Sequence, residues 1–191
     1  MRTKLLSIAL LCMALNAPAQ ALDISGINFA EHAPLAGSDL VLNGAGLRIK
    51  LFFKIYAIGL YLPQKADNAE AILNTKGPRR IQIITLRDLS GEQLTDALLD
   101  ALTTNHSEAE MNKLAARVAQ FRSTMLAIAK VPEKTVIRLD YLPPSGTRLT
   151  VGTEQKGADI AGQDFYQALL RIWLGNAPVQ ADIKGKLSGK P

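Results

Sequence analysis

The sequence predicts an α+β domain, an antiparallel sheet with its helices gathered on one side. Three observations predict it. Residues 40–63, LVLNGAGLRIKLFFKIYAIGLYLP, form a long β-branched and aromatic stretch. Two later segments with strand character, residues 134–142 and 148–153, flank Pro143-Pro144-Ser145-Gly146, a strong hairpin signal. Between these regions lie two runs of helical periodicity, each opened by a capping box, Ser90 with Gln93 and Ser107 with Glu110.

The chain begins with Arg2 and Lys4, an apolar run from Leu5 to Leu15, and Ala19-Gln20-Ala21, the small-x-small pattern that signal peptidase reads. That run is well short of the roughly 20 residues a bilayer span needs. Residues 1–21 are therefore expected to be a cleaved signal peptide, and residues 22–191 a single periplasmic domain. Of the formal charge of +5, Arg2 and Lys4 supply +2, leaving +3, too mild to argue for nucleic acid. The one cysteine, Cys12, leaves with the leader, so the domain has neither disulfide nor thiolate chemistry. Its stability must come from a packed core, and no later segment is expected to be an integral membrane span.

In chain order, a short extended piece is expected around residues 24–30 and a strand at 39–43. Asn43-Gly44-Ala45-Gly46 reads as a turn. One long strand should then run to Pro63, with Gly59 marking a bulge. Residues 65–75 predict a short helix stopped by Gly77-Pro78, and residues 79–88 a strand with Ile81, Ile83 and Thr85 on one side. The Ser90 helix places Leu94, Ala97, Leu98, Ala101 and Leu102 at helical spacing. The Ser107 helix should reach about Lys130, with Met111, Leu114, Val118, Phe121, Met125 and Ile128 as a core stripe. After the hairpin, residues 162–174 form an amphipathic helix that turns Phe165, Leu169, Ile172 and Trp173 inward and ends at Gly175. Pro178 starts a last short helix to about Leu187.

Within residues 40–63, strand parity separates two faces. Leu47, Ile49, Leu51, Phe53, Ile55, Ala57, Gly59 and Tyr61 read as core. The other face begins basic at Arg48, Lys50 and Lys54, carries the phenol of Tyr56, and ends aliphatic at Ile58, Leu60 and Leu62. Such a face suits the wall of a pocket for a molecule with a charged head and an oily body; equally, its cations suit the solvated side of a half-covered sheet. Arg48 stays protonated and forks two donors toward an anionic oxygen pair, and Tyr56 can add a third. On a straight strand the two would stand about 26 Å apart at ~3.3 Å per residue. They meet only if the chain bends sharply near residues 50–54 or doubles back.

Inventory removes several enzyme classes. His32 and His106 have no companions at metal-ligand spacing and no nucleophile motif beside them, and both read as surface residues. No metal is expected. Gly44-Ala45-Gly46 lacks the third glycine and following helix of a dinucleotide fingerprint, and no other cofactor signature appears. Asp96 and Asp100 on one helix face are most simply solvated.

The segment Asn43-Gly44-Ala45-Gly46-Leu47-Arg48, followed by Lys54-Ile55-Tyr56-Ala57-Ile58-Gly59-Leu60-Tyr61-Leu62, resembles the opening motif of the chalcone isomerase-like superfamily. Thr85-Leu86-Arg87-Asp88-Leu89 resembles its next strand end, and Leu169 to Gly175 with Pro178 resembles the late helix of its bacterial secreted branch. The resemblance implies an open-faced β-sandwich, a long curved antiparallel sheet covered by a helical layer, with a cleft between them. It also implies that Arg48 matches the arginine which, in plant chalcone isomerases, stabilises substrate charge during ring closure. The rest of that catalytic set differs: Tyr56 stands where the enzymes carry a threonine, Ile172 where they carry another, and the helix after Ser90 lacks their tyrosine and asparagine pair. Relatives with an arginine and a tyrosine in the cleft include fatty-acid-binding proteins, which hold the ligand carboxylate with those two side chains.

Three functions follow as expectations. The first is a non-catalytic periplasmic binder of a fatty acid or similar amphiphilic carboxylate, held by Arg48 and Tyr56. The second is an isomerase or intramolecular lyase acting on an enone, with Arg48 and Tyr56 as its catalytic pair. The third is a structural or interaction module in which Arg48 pairs with an internal acid such as Asp88.

Overall fold

The computed structural model describes residues 21–190. The strands are β1 (Ala21–Ile24), β2 (Ile27–Ala30), β3 (His32–Leu35), β4 (Ser38–Lys50), β5 (Phe53–Leu62), β6 (Arg79–Thr85), β7 (Leu89–Ser90), β8 (Lys130–Val131), β9 (Val136–Leu142), β10 (Gly146–Val151) and β11 (Glu154–Ile160). The helices are α1 (Ala69–Asn74), α2 (Gly91–Thr104), α3 (Glu108–Leu126), α4 (Gln163–Leu174) and α5 (Ala181–Leu187). Seven strands make one antiparallel sheet in the order β11-β10-β9-β6-β5-β4-β3. The α+β expectation with helices on one side of the sheet holds. The expected signal peptide lies outside the described residues, except for Ala21, which opens β1. No described helix is long and apolar enough to cross a membrane.

Both faces of the central strands are buried, against different partners. Ile58, Leu60 and Leu62 of β5 face the helical layer, packing with Phe165, Leu169, Ile172 and Trp173 of α4 and Phe121 and Met125 of α3. Ala57 and Tyr61 face the other way, into a smaller core with Phe29, Leu40, Leu42 and Ile84. Gly59 marks the contact between β5 and the β1–β2 hairpin rather than a bulge, since a Cβ there would lie 2.7 Å from the ring of Phe29. At roughly 1.5–3 kcal/mol for each large apolar side chain fully buried, the helical face carries the greater share of stability.

Local signals determined most helix starts. Both capping boxes form, each with a side chain accepting from the N3 amide and the N3 side chain accepting in return. The third helix stops at Leu126, short of Lys130, because residues 130–131 pair with β7 instead. Its stripe is core as expected, with Leu114, Phe121, Met125 and Ile128 buried. Ala97, by contrast, is exposed on α2.

The main corrections fall within residues 40–63. Gly44 and Gly46 are not in a turn but inside β4, where α5 crosses closely: a Cβ on Gly44 would sit 1.9 Å from the carbonyl oxygen of Lys186. The chain reverses instead at Leu51 and Phe52, between the paired residues Lys50 and Phe53. Leu51 adopts φ 56°, left-handed backbone that a branched residue enters at a cost of about 1–2 kcal/mol. Ile49, Leu51 and Phe53, expected in the core, are therefore exposed around the tip.

Candidate functional site

The reversal at Leu51 brings the two predicted site residues together. Arg48 on β4 and Tyr56 on β5 are direct cross-strand partners, so both side chains project from one face, close to the turn of the hairpin. The separation expected on a straight strand is removed because the chain doubles back.

The register shifts between Arg48 and Ile49, leaving Ile55 of β5 without a partner on β4. Gln180, the residue immediately before α5, satisfies the backbone there: its Oε1 accepts from the Ile49 amide at 3.0 Å and its Nε2 donates to the Leu47 carbonyl at 3.0 Å. Arg48 Nη1 donates to the Ile49 carbonyl at 2.9 Å and, at 3.4 Å, to the same Gln180 oxygen. Among the described residues no carboxylate forms an ion pair with Arg48. The pairing with Asp88 does not occur, because Asp88 is engaged by Lys130 at 2.7 Å and by the Glu133 amide at 2.9 Å.

On the β5 side, α4 supplies Trp173, whose indole Nε1 donates to the Tyr56 hydroxyl at 3.0 Å. Burial pushes the Tyr56 phenol above its ordinary pKa, with the Trp173 hydrogen bond and the Arg48 charge opposing the shift. The phenol is therefore neutral, its oxygen accepts from Trp173, and its own proton is free to be donated. Arg48 and Tyr56 together can present donors to one anionic group. Beyond them the row Ile58, Leu60 and Leu62 continues on the same face, fully covered by the helical layer rather than lining an open wall.

The two described cavities lie elsewhere. The larger, about 570 Å³, is an open groove among α1, α4 and the start of α5, with Leu73, Asn105, Gln167, Arg171 and Lys184 on its walls. The smaller, about 160 Å³, adjoins it across the Arg171–Glu110 ion pair of 2.9 Å and includes His106. His106, expected as a surface residue, is half-buried with Nδ1 2.8 Å from the Leu102 carbonyl. Hydrogen bonds from Ser107, with Arg171 beside it, hold the Glu110 carboxyl at about 2.

Sequence reasoning missed Arg79. Its side chain is fully buried between the rings of Tyr141 and Tyr166, at 4.9 and 5.1 Å from their centroids. Nη1 reaches the Leu73 carbonyl at 3.3 Å, while Nε and Nη2 have no hydrogen-bond partner. A signal was present: Arg79 and Arg80 are adjacent on one strand, so alternation sends one to each face. Arg80 takes the face where Asp140 waits, at 2.7 and 2.8 Å, and Arg79 takes the helical face.

A seven-stranded antiparallel sheet covered on one face by helices matches the chalcone isomerase-like fold. The crystal structure of an Arabidopsis thaliana fatty-acid binding protein is similar, with a TM-score of 0.64 over 86% of this chain and 92% of that one at 15% identity. The family model for chalcone isomerase-like proteins matches residues 21–189, and the chain belongs to that family. No curated protein matches it.

Proposed function

We propose that the chain is a periplasmic, non-catalytic binding protein for a fatty acid or similar amphiphilic carboxylate, with Arg48 and Tyr56 holding the head group. The observation that carries this reading is the cross-strand pairing of a cation that has no acidic partner among the described residues with a neutral phenol whose proton is unused. The carboxylate would take the Arg48 donors now shared with Gln180 and the Tyr56 hydroxyl proton. Its tail would run along Ile58, Leu60 and Leu62, so uptake requires the helical layer to part from β5. The leader expected from the sequence at residues 1–21 supports the periplasmic assignment, and the likeness to the fold of a fatty-acid binding protein supports the ligand class.

A second reading, an interaction module with a collapsed cleft, is favoured by one observation: the aliphatic row is fully covered and Gln180 already occupies Arg48. Lipid extraction from protein purified without detergent, followed by titration with a long-chain fatty acid, separates the two. The binder reading expects a co-purifying acyl chain and saturable binding, weakened about tenfold or more by Arg48→Ala, because charge-assisted bonds contribute ~1.5–3 kcal/mol. Absence of both the acyl chain and the binding overturns it. Turnover of an enone above the Arg48→Ala background would instead assign the pair to isomerase chemistry.

A further inference from the structure

The tip of the β4–β5 hairpin carries an apolar cluster that the fold does not use. Leu51 is 80% exposed, Phe52 97% and Phe53 57%, with Ile49 beside them at 41%. These are four of the six large apolar side chains exposed among the described residues. Scattered exposed apolar residues are ordinary; a run of them at a protruding turn is not.

The charged residues carried by the tip itself are basic, and Lys54 Nζ donates to Ser25 Oγ at 2.6 Å. Lys50 and Lys54 are exposed, Arg48 is half-exposed, and the Arg87 guanidinium lies 4.9 Å from the centroid of the Phe53 ring. From Leu40 to Leu62 the hairpin contains no aspartate or glutamate. Asp88, next to Arg87, is neutralised by Lys130.

We propose that this tip docks into the surface of an anionic phospholipid bilayer, with Leu51 and Phe52 entering the acyl boundary and Lys50, Lys54 and Arg87 meeting the phosphates. Apolar insertion combined with cation attraction is what holds interfacial segments on anionic lipid. Shape and size favour a bilayer over a protein. A convex turn offers no concave seat, and two aromatic side chains at roughly 150–250 Å² each, with two aliphatic ones, fall below the ~800 Å² per partner of a stable protein interface. The inference does not rest on the fatty-acid reading, since Leu51 and Phe52 take no part in the Arg48–Tyr56 site.

Co-sedimentation tests it, using protein processed by the cell and variants prepared identically, with vesicles of phosphatidylglycerol and phosphatidylcholine or of phosphatidylcholine alone. Wild-type protein should pellet with the anionic vesicles, and added salt should release it. The double variant Leu51→Asp with Phe52→Asp should bind at least ~tenfold less, and so should Lys50→Glu with Lys54→Glu. Both alter exposed side chains, and an unchanged unfolding midpoint verifies the fold. Phe52→Trp adds a reporter whose emission should shift to the blue on anionic vesicles only. No association with anionic vesicles, or association undiminished by the tip substitutions, overturns the proposal. So does lipid-free self-association that the tip substitutions abolish, which would assign the tip to a second copy. Fatty-acid titration of the Leu51→Asp, Phe52→Asp variant keeps the two proposals separate: it should match wild type if the ligand reading holds, whatever the vesicles show.

Discussion

The inner and outer halves of the β4–β5 hairpin are built from the same two strands and live under opposite conditions. In the inner half, Gly44 lies under the Lys186 carbonyl, the buried Asn43 amide donates to the Leu187 carbonyl at 2.7 Å and to the Ala66 carbonyl at 2.9 Å, and Leu60 and Leu62 are sealed. In the outer half, nothing covers Leu51 or Phe52. Arg48 and Tyr56 pair where one regime gives way to the other. Rigidity reaches the pair from within and access from without, the combination the proposed binding role needs.

The contrast can be broken most severely at Gly44. Gly44→Val places a side chain where a backbone carbonyl stands, and should cost at least ~3 kcal/mol in urea unfolding by displacing α5. A cost below ~1 kcal/mol would mean that α5 is only loosely seated. Next, Leu60→Ala should destabilise by ~2–5 kcal/mol, whereas Phe52→Ala on the same hairpin should change stability by less than ~0.5 kcal/mol. Equal losses would erase the distinction between the halves.

A smaller effect is expected at the boundary. Trp173→Phe removes the donor to Tyr56, one of the two influences that lower its pKa, so the phenol should titrate still higher, as read by tyrosinate absorbance. Because the folded pKa of Tyr56 is raised, its contribution to stability is complete below the unfolded value of about 10 and is lost as pH rises through the folded value. In Trp173→Phe that loss should begin at the same pH and extend higher. At the tip the expected change is a gain: Leu51→Asn, suited to positive φ, should add a few tenths of a kcal/mol, about 0.5 at most, and leave the Arg48–Tyr56 pairing in place.

What could be read in advance depended on whether the determining physics was local. The two capping boxes and the Pro143–Gly146 turn are signals within a few residues, and both capping boxes and the hairpin form there. The reversal at Leu51 and Phe52 has no such signature: two-residue hairpin turns ordinarily use glycine, asparagine or aspartate, and here the flanking ladder holds a leucine at φ 56°. Gly44 and Gly46 resembled a turn because glycine signals both backbone freedom and close approach; packing against α5 is the reason here. The strand β11, EQKGADI, was missed because an edge strand with mostly exposed side chains lacks apolar alternation. Arg48 and Tyr56 were legible as residue types, their meeting only as a condition on the fold. Trp173 of α4 and Gln180 just before α5, both distant in sequence, carried no sequence signal of that role.

The Gln180 side chain has one more consequence. Its amide oxygen accepts from both the Ile49 N–H and Arg48, which makes it the chain's own imitation of a carboxylate. On the proposed reading, an incoming anion would displace this resident surrogate from Arg48 while α5 stays seated on β4 through Asn43 and Gly44. Amide exchange at Ile49, whose N–H bonds the Gln180 oxygen at 3.0 Å, would then report occupancy.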